Sequence, residues 1–120
     1  MMKKTIKIGN KEVEIKSSAF TMFSYQNKYG RDLLEDMMLI KDKAFGIKEQ
    51  NNSDEQVRNI MPIIKIVFNL CYTMAEEADP SIKEQSEWLK EFDNIFEDNA
   101  WINDVIEVGM SPFRRTVQKT

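Results

Sequence analysis

The side chains able to do chemistry in this 120-residue chain are mostly carboxylates: 20 Asp and Glu stand beside 17 Lys and Arg, one cysteine and no histidine. Without histidine the chain lacks the commonest general base and the commonest metal ligand. Cys71 is a potential nucleophile, but it falls in an apolar helical stripe. Such surroundings disfavour a thiolate and suit a small buried hydrophobe. A lone cysteine makes neither an intrachain disulfide nor a thiolate cluster. Glu76 and Glu77 could in principle share acid and base roles, yet neighbours on a helix point in different directions, so a solvated surface pair fits them better. No G-x-x-x-x-G-K-[ST] or G-x-G-x-x-G string occurs, and four glycines leave little for a phosphate cradle. The expectation is a non-enzyme with no catalytic residues, no metal and no cofactor.

The elements that would position any functional surface are organised around Ser53 to Ala78. Val57, Ile60, Met61, Ile64, Val67, Phe68, Cys71, Met74, Ala75 and Ala78 recur at steps of three and one, as on one face of a helix. Ile63, Ile66 and Leu70 widen that stripe until other elements must wrap it. Ser53 with Gln56 reads as a capping box, and Asp79-Pro80 as the stop. Pro62 either kinks one helix or separates two, the second capped by Asn59; the stripe keeps its phase across it, which favours one helix.

Ahead of this helix, Ile6 and Ile8, the Gly9-Asn10 turn, then Val13 and Ile15 predict a β-hairpin over about 5–16, with Ile6 opposite Val13. Ser17-Ser18 caps a helix carrying Ala19, Phe20, Met22, Phe23, Gln26 and Tyr29, with its aromatics and methionine read as core, and Gly30 ends it. A short helix from Asp32 carries Leu33, Leu34, Met37, Met38 and Ile40, apolar on too many sides for a surface helix, so a partner is expected to cover part of it. Residues 41–52 read as a polar connecting loop containing Phe45 and Ile47. Downstream, a helix around Ser86 to Phe92 precedes one from Asp93 or Asp98 to Val108, closed by Gly109. The fold class is mainly α with a small N-terminal β-hairpin (α+β): one domain over 1–110, then a flexible basic tail over 111–120.

Charge is unevenly spread. From Glu76 to Glu107, eleven carboxylates against two lysines, Lys83 and Lys90, leave nine net negative charges, so the flanks are positive by difference. That polarity suits head-to-tail self-association or solvation of surface helices. A pI near 5.1 and scattered basic residues argue against nucleic acid, and Arg114-Arg115 is too small a patch to reverse this. No apolar run approaches the roughly 20 residues of a membrane span, and the N-terminus lacks a signal-peptide h-region. A cytoplasmic protein is expected.

Several strings, in order, carry a resemblance: the opening Ile6-Lys7-Ile8-Gly9-Asn10-Lys11-Glu12-Val13-Glu14 hairpin, Tyr25 to Leu34 (Tyr-Gln-Asn-Lys-Tyr-Gly-Arg-Asp-Leu-Leu), the apolar helix, Ala78-Asp79-Pro80-Ser81-Ile82, and Glu87-Trp88-Leu89-Lys90-Glu91-Phe92. Together they resemble the tail assembly chaperones of long, non-contractile-tailed phages and prophages of Gram-positive bacteria, over about residues 5–109. The resemblance implies a non-catalytic protein of the host cytoplasm, absent from the mature virion. It would coat and solubilise the tape measure protein during tail morphogenesis, together with a longer, frameshifted form of itself. Met37, Met38, Phe45 and Ile47 are the candidates for client contact, since flexible methionines adapt to irregular partners. Rival readings are another phage structural part, such as a head–tail joining protein, and a small helical interaction module.

Overall fold

Alternating apolar residues around a Gly-Asn turn build the first element. Strands β1 (Met2–Ile8) and β2 (Lys11–Ser17) pair antiparallel with Ile6 opposite Val13. Ile6, Ile8, Val13 and Ile15 are all buried, so one face of the hairpin lies on the helices, as a two-stranded ribbon needs for stability. Gly9 takes φ +62°, and a Cβ there would meet the Asp93 carbonyl oxygen at 1.8 Å. The turn therefore needs glycine for its backbone angle and for the loop that packs on it.

The structure, a computed structural model, describes residues 2–48 and 54–113, with the side chains of 41–60 left out. Five helices follow the hairpin: α1 (Ala19–Tyr29), α2 (Leu33–Lys48), α3 (Asp54–Ala78), α4 (Gln85–Leu89) and α5 (Ala100–Met110), with a 3-10 turn at Ser111–Phe113. The fold is mainly α with an N-terminal β-hairpin. Helix α3 is the hub, touching β2, α1, α2 and α5. From Ile63 to Ala75 its buried residues point to several sides, and Val67, Leu70, Cys71 and Met74 are fully enclosed. Phe68 meets Trp88, Phe92 and Trp101 with ring centroids 4.9–6.3 Å apart; such tilted and edge contacts add to area burial.

Helix α3 runs through Pro62 without a break, and Pro62 is exposed. Its ring thus sits on the solvent side, where water can satisfy the carbonyl left without an N–H donor. Met61, expected in the buried stripe, is exposed beside it. Ser53, the expected cap, and Asn51-Asn52 lie outside the described residues.

Several boundaries differ from those expected. The segment read as a loop from residue 41 continues α2 as far as Lys48. Its lysines, alanine and isoleucine are compatible with a helix, and the one glycine, Gly46, costs only about 1 kcal/mol relative to alanine, too little to stop it. Gly109 does not close the last helix but lies within α5, buried. A Cβ there would come within 2.6 Å of Leu70 Cδ2, so glycine lets α5 approach α3 closely. Helix α4 is shorter than expected, and Phe92 packs beyond its end against Phe68 and Trp88. The tail expected from residue 111 is not yet a tail at Ser111–Phe113: Ser111 lies 3.1 Å from Ser17 across their hydroxyls, and Phe113 packs on the core. Residues 114–120 lie outside the described residues.

Candidate protein-interaction surface

The short polar strings place the helices that form the surface. Ser18 caps α1, its hydroxyl accepting from the Phe20 N–H while the Thr21 hydroxyl accepts from the Ser18 N–H. Gly30 ends α1 in the left-handed conformation that favours glycine. Asp32 then accepts from the Leu34 N–H and opens α2. At the α1–α2 corner the buried Asp36 carboxylate receives the Tyr25 hydroxyl at 2.7 Å and Arg31 Nε at 2.8 Å. Burial alone would raise the Asp36 carboxyl, but hydrogen bonds from Arg31 and Tyr25 and the guanidinium charge outweigh it and hold it below its ordinary value. Asp79 makes a similar local turn, accepting from the Ser81 N–H and hydroxyl. Residues of the Tyr25–Leu34 and Ala78–Ile82 strings thus cap helices, close turns and tie α1 to α2.

Helices α1 and α2 each carry more than one exposed large apolar side chain among the described residues. On α2, Met38 is 63% exposed and Leu34 is exposed one turn before it, on the same side. Met37 is only 5% exposed and belongs to the core with Leu33 and Ile40. Its assignment to a partner surface is corrected on this ground: helical rotation turns adjacent residues about 100° apart, so Met37 and Met38 face opposite environments. Phe45 and Ile47 fall on the helical continuation of α2, and their side chains lie outside the description. The structure therefore places Met38 at the surface and Met37 in the core.

Phe20 and Phe23, read as core from the sequence, are 61% and 57% exposed and lie one turn apart on α1. The buried side of α1 is held instead by Thr21 and Tyr25. The signal was present in the spacing. Phe20, Met22, Phe23, Tyr25 and Tyr29 occupy more than half of the helical circumference, whereas a helix packed against one neighbour buries only one side. A groove between α1 and the C-terminal end of α3 begins at Phe20 and is floored by Thr73.

The acidic segment is partly neutralised by lysines from the flanks of the same chain. Lys4 of β1 reaches Asp104 at 3.0 Å and Glu107 at 3.7 Å, Lys11 of the hairpin reaches Glu91 at 2.7 Å, and Lys28 of α1 pairs with Glu76. Hydrogen bonds from Lys11 and Lys83 hold the Glu91 carboxyl down to about 2. Charge complementarity expected between neighbouring copies is thus used in part within one molecule. Glu77 differs: its oxygens accept from the Ser18 and Thr21 hydroxyls at 2.5 and 2.6 Å.

Cys71 is fully enclosed, and burial pushes its thiol well above the ordinary value, which removes the thiolate a nucleophile needs. Among the described residues no three acidic, cysteine or histidine side chains converge as a metal site would require. Nor is any helix among them long and apolar enough to cross a membrane. No family model matches the chain, and neither a curated protein nor a solved structure matches it.

Proposed function

We propose that this chain is a non-catalytic tail assembly chaperone that binds and solubilises the tape measure protein during phage tail morphogenesis. The observation that carries the reading is the exposure of Leu34, Met38 and Leu39 on α2, beside a buried core that Leu33, Met37 and Ile40 of the same helix join. A long helical client offers apolar stripes before the tail tube encloses it. A methionine-bearing helix suits such a client, because an unbranched, polarisable side chain fits irregular apolar surfaces. The reading rests as well on the resemblance drawn from the sequence strings. In this reading the chain acts in the host cytoplasm beside a frameshifted longer form and leaves before the virion is complete.

Co-expression with the tape measure protein, followed by affinity capture and mass spectrometry of purified virions, tests the proposal. The expected result is co-purification from lysate and absence from the particle. Presence of the chain at stoichiometric level in virions would replace the chaperone by a structural component, such as a head–tail joining protein.

A further inference from the structure

The groove between α1 and the end of α3 has a volume of about 540 Å³ and opens beside the 61% exposed ring of Phe20. Pro80 forms its other apolar wall, and Ser24, Asn27 and Thr73 contribute polar edges. Its charged lining is Glu76 and Glu77 against Lys28, which leaves one net negative charge. The last turn of α3 carries no basic residue, and its unpaired carbonyls add the negative end of the helix dipole. Glu76 is met by Lys28. Glu77 is held in place by two hydroxyls, and among the described residues no lysine or arginine lies within ion-pair distance of it. The N-terminal dipole of α1 offsets part of that charge, since Ser18 caps the helix and Thr21 stands in its first turn, but it supplies no counter-ion. The hydroxyls fix the carboxylate without neutralising it, and each oxygen keeps an acceptor site free.

We infer that this groove docks a basic amphipathic helix of a partner protein, seating an apolar side chain between Phe20 and Pro80 and an arginine or lysine against Glu77. A cation placed there is attracted by the carboxylate and, where it lies over the ring, by the face of Phe20, and arginine fits best because its planar group stacks and hydrogen-bonds at once. The inference rests on the binding-protein reading above but uses a surface separate from Leu34 and Met38, so each can fail alone. In the chaperone context it specifies the chemistry of the client segment: apolar on one side and basic at its flank.

The test uses the full chain and three synthetic 18-residue helical peptides with the same apolar face, flanked by arginine, by lysine or by glutamate, titrated by fluorescence anisotropy. The arginine peptide should bind more tightly than the lysine peptide, and the glutamate peptide should not bind. Phe20→Ser and Glu77→Gln should each weaken the arginine peptide by roughly tenfold, the scale of removing a main anchor. Glu77→Gln keeps an acceptor for the α1 hydroxyls, so a melting temperature equal to wild type separates loss of charge from loss of fold. Failure of all three peptides to bind, equal binding of the arginine and glutamate peptides, or an unaltered affinity in Phe20→Ser would overturn the inference. So would a change in oligomeric state on Phe20→Ser in sedimentation, since the groove would then belong to a second copy of this chain.

Discussion

Asp36 shows what the polar residues near the surface do. Its carboxylate is fully enclosed, yet it carries hydrogen bonds from Tyr25 and Arg31 and is held below the ordinary carboxyl value. A group depressed in the folded state contributes stability above its unfolded value, and that contribution is lost as pH falls through the folded value. Asp36→Asn should therefore cost about 1–2 kcal/mol at neutral pH, the scale of losing a charge-assisted bond, and its stability should depend less on acid than that of wild type. Urea denaturation at neutral and acidic pH measures both. In the core, Phe68→Ala should cost about 3–5 kcal/mol, because it empties the space between three rings. At this scale the sequence revealed chemistry that acts through neighbours in the chain: Ser18, Gly30 and Asp79 do their work within a few residues. Exposure was harder to read. Whether Phe20, Phe23, Met37 or Met61 is buried depends on which element packs against its helix, and that contact is made by residues far along the chain.

Among the elements, those fixed by local rules were the legible ones. The hairpin register follows from a two-residue turn and alternating isoleucines and valine, and Ile6 faces Val13 as expected, although the strands run from Met2 to Ser17, beyond the expected 5–16. The hub helix followed from a stripe long enough to survive one proline. Helix ends governed by weak preferences were missed, as at Lys48, or misread, as at Gly109, where glycine serves close approach of two helices instead of a cap. Gly9 and Gly30 separate these two uses. Both take positive φ, +62° and +65°, but only Gly9 faces the Asp93 carbonyl, whereas nothing lies within 4 Å of a Cβ on Gly30. Gly30→Ala should therefore cost about 1–2 kcal/mol, for the backbone angle alone. Gly9→Ala should cost about 1–3 kcal/mol more, because the hairpin or the Asp93 loop must also move. Thermal or urea denaturation of the two variants gives the comparison, and equal losses would mean that the loop does not constrain the turn.

For the molecule as a whole, the sequence showed the charge polarity but not where its partners lie. Lys4, Lys11 and Lys28 fold back onto Asp104, Glu91 and Glu76, so the basic flanks serve the acidic segment of their own chain. Self-association at high protein concentration should therefore rest on apolar surface, and it should persist or strengthen between about 0.05 and about 0.5 M salt, where charge pairing is screened. Sedimentation at the two salt levels reads this directly; dissociation by salt would restore a charge-built interface. Of the proposed function, the sequence carried only the surplus of apolar residues on α2 and the resemblance of its strings. The identity of a client depends on a second molecule, and no spacing within this chain encodes it.

The most direct test of the central claim is the solubility of co-expressed tape measure protein, measured with wild type, with a Leu34→Ser/Met38→Ser variant, and with no partner. Both substituted residues are exposed, so the variant should keep the wild-type melting temperature, while the loss of apolar contact weakens masking of the client. The account predicts soluble client with wild type, and a soluble fraction with the variant that falls toward the level without partner. Client that remains equally insoluble with wild type and without it, also when the longer form is supplied, would contradict the account. So would a folded variant that protects the client as well as wild type does.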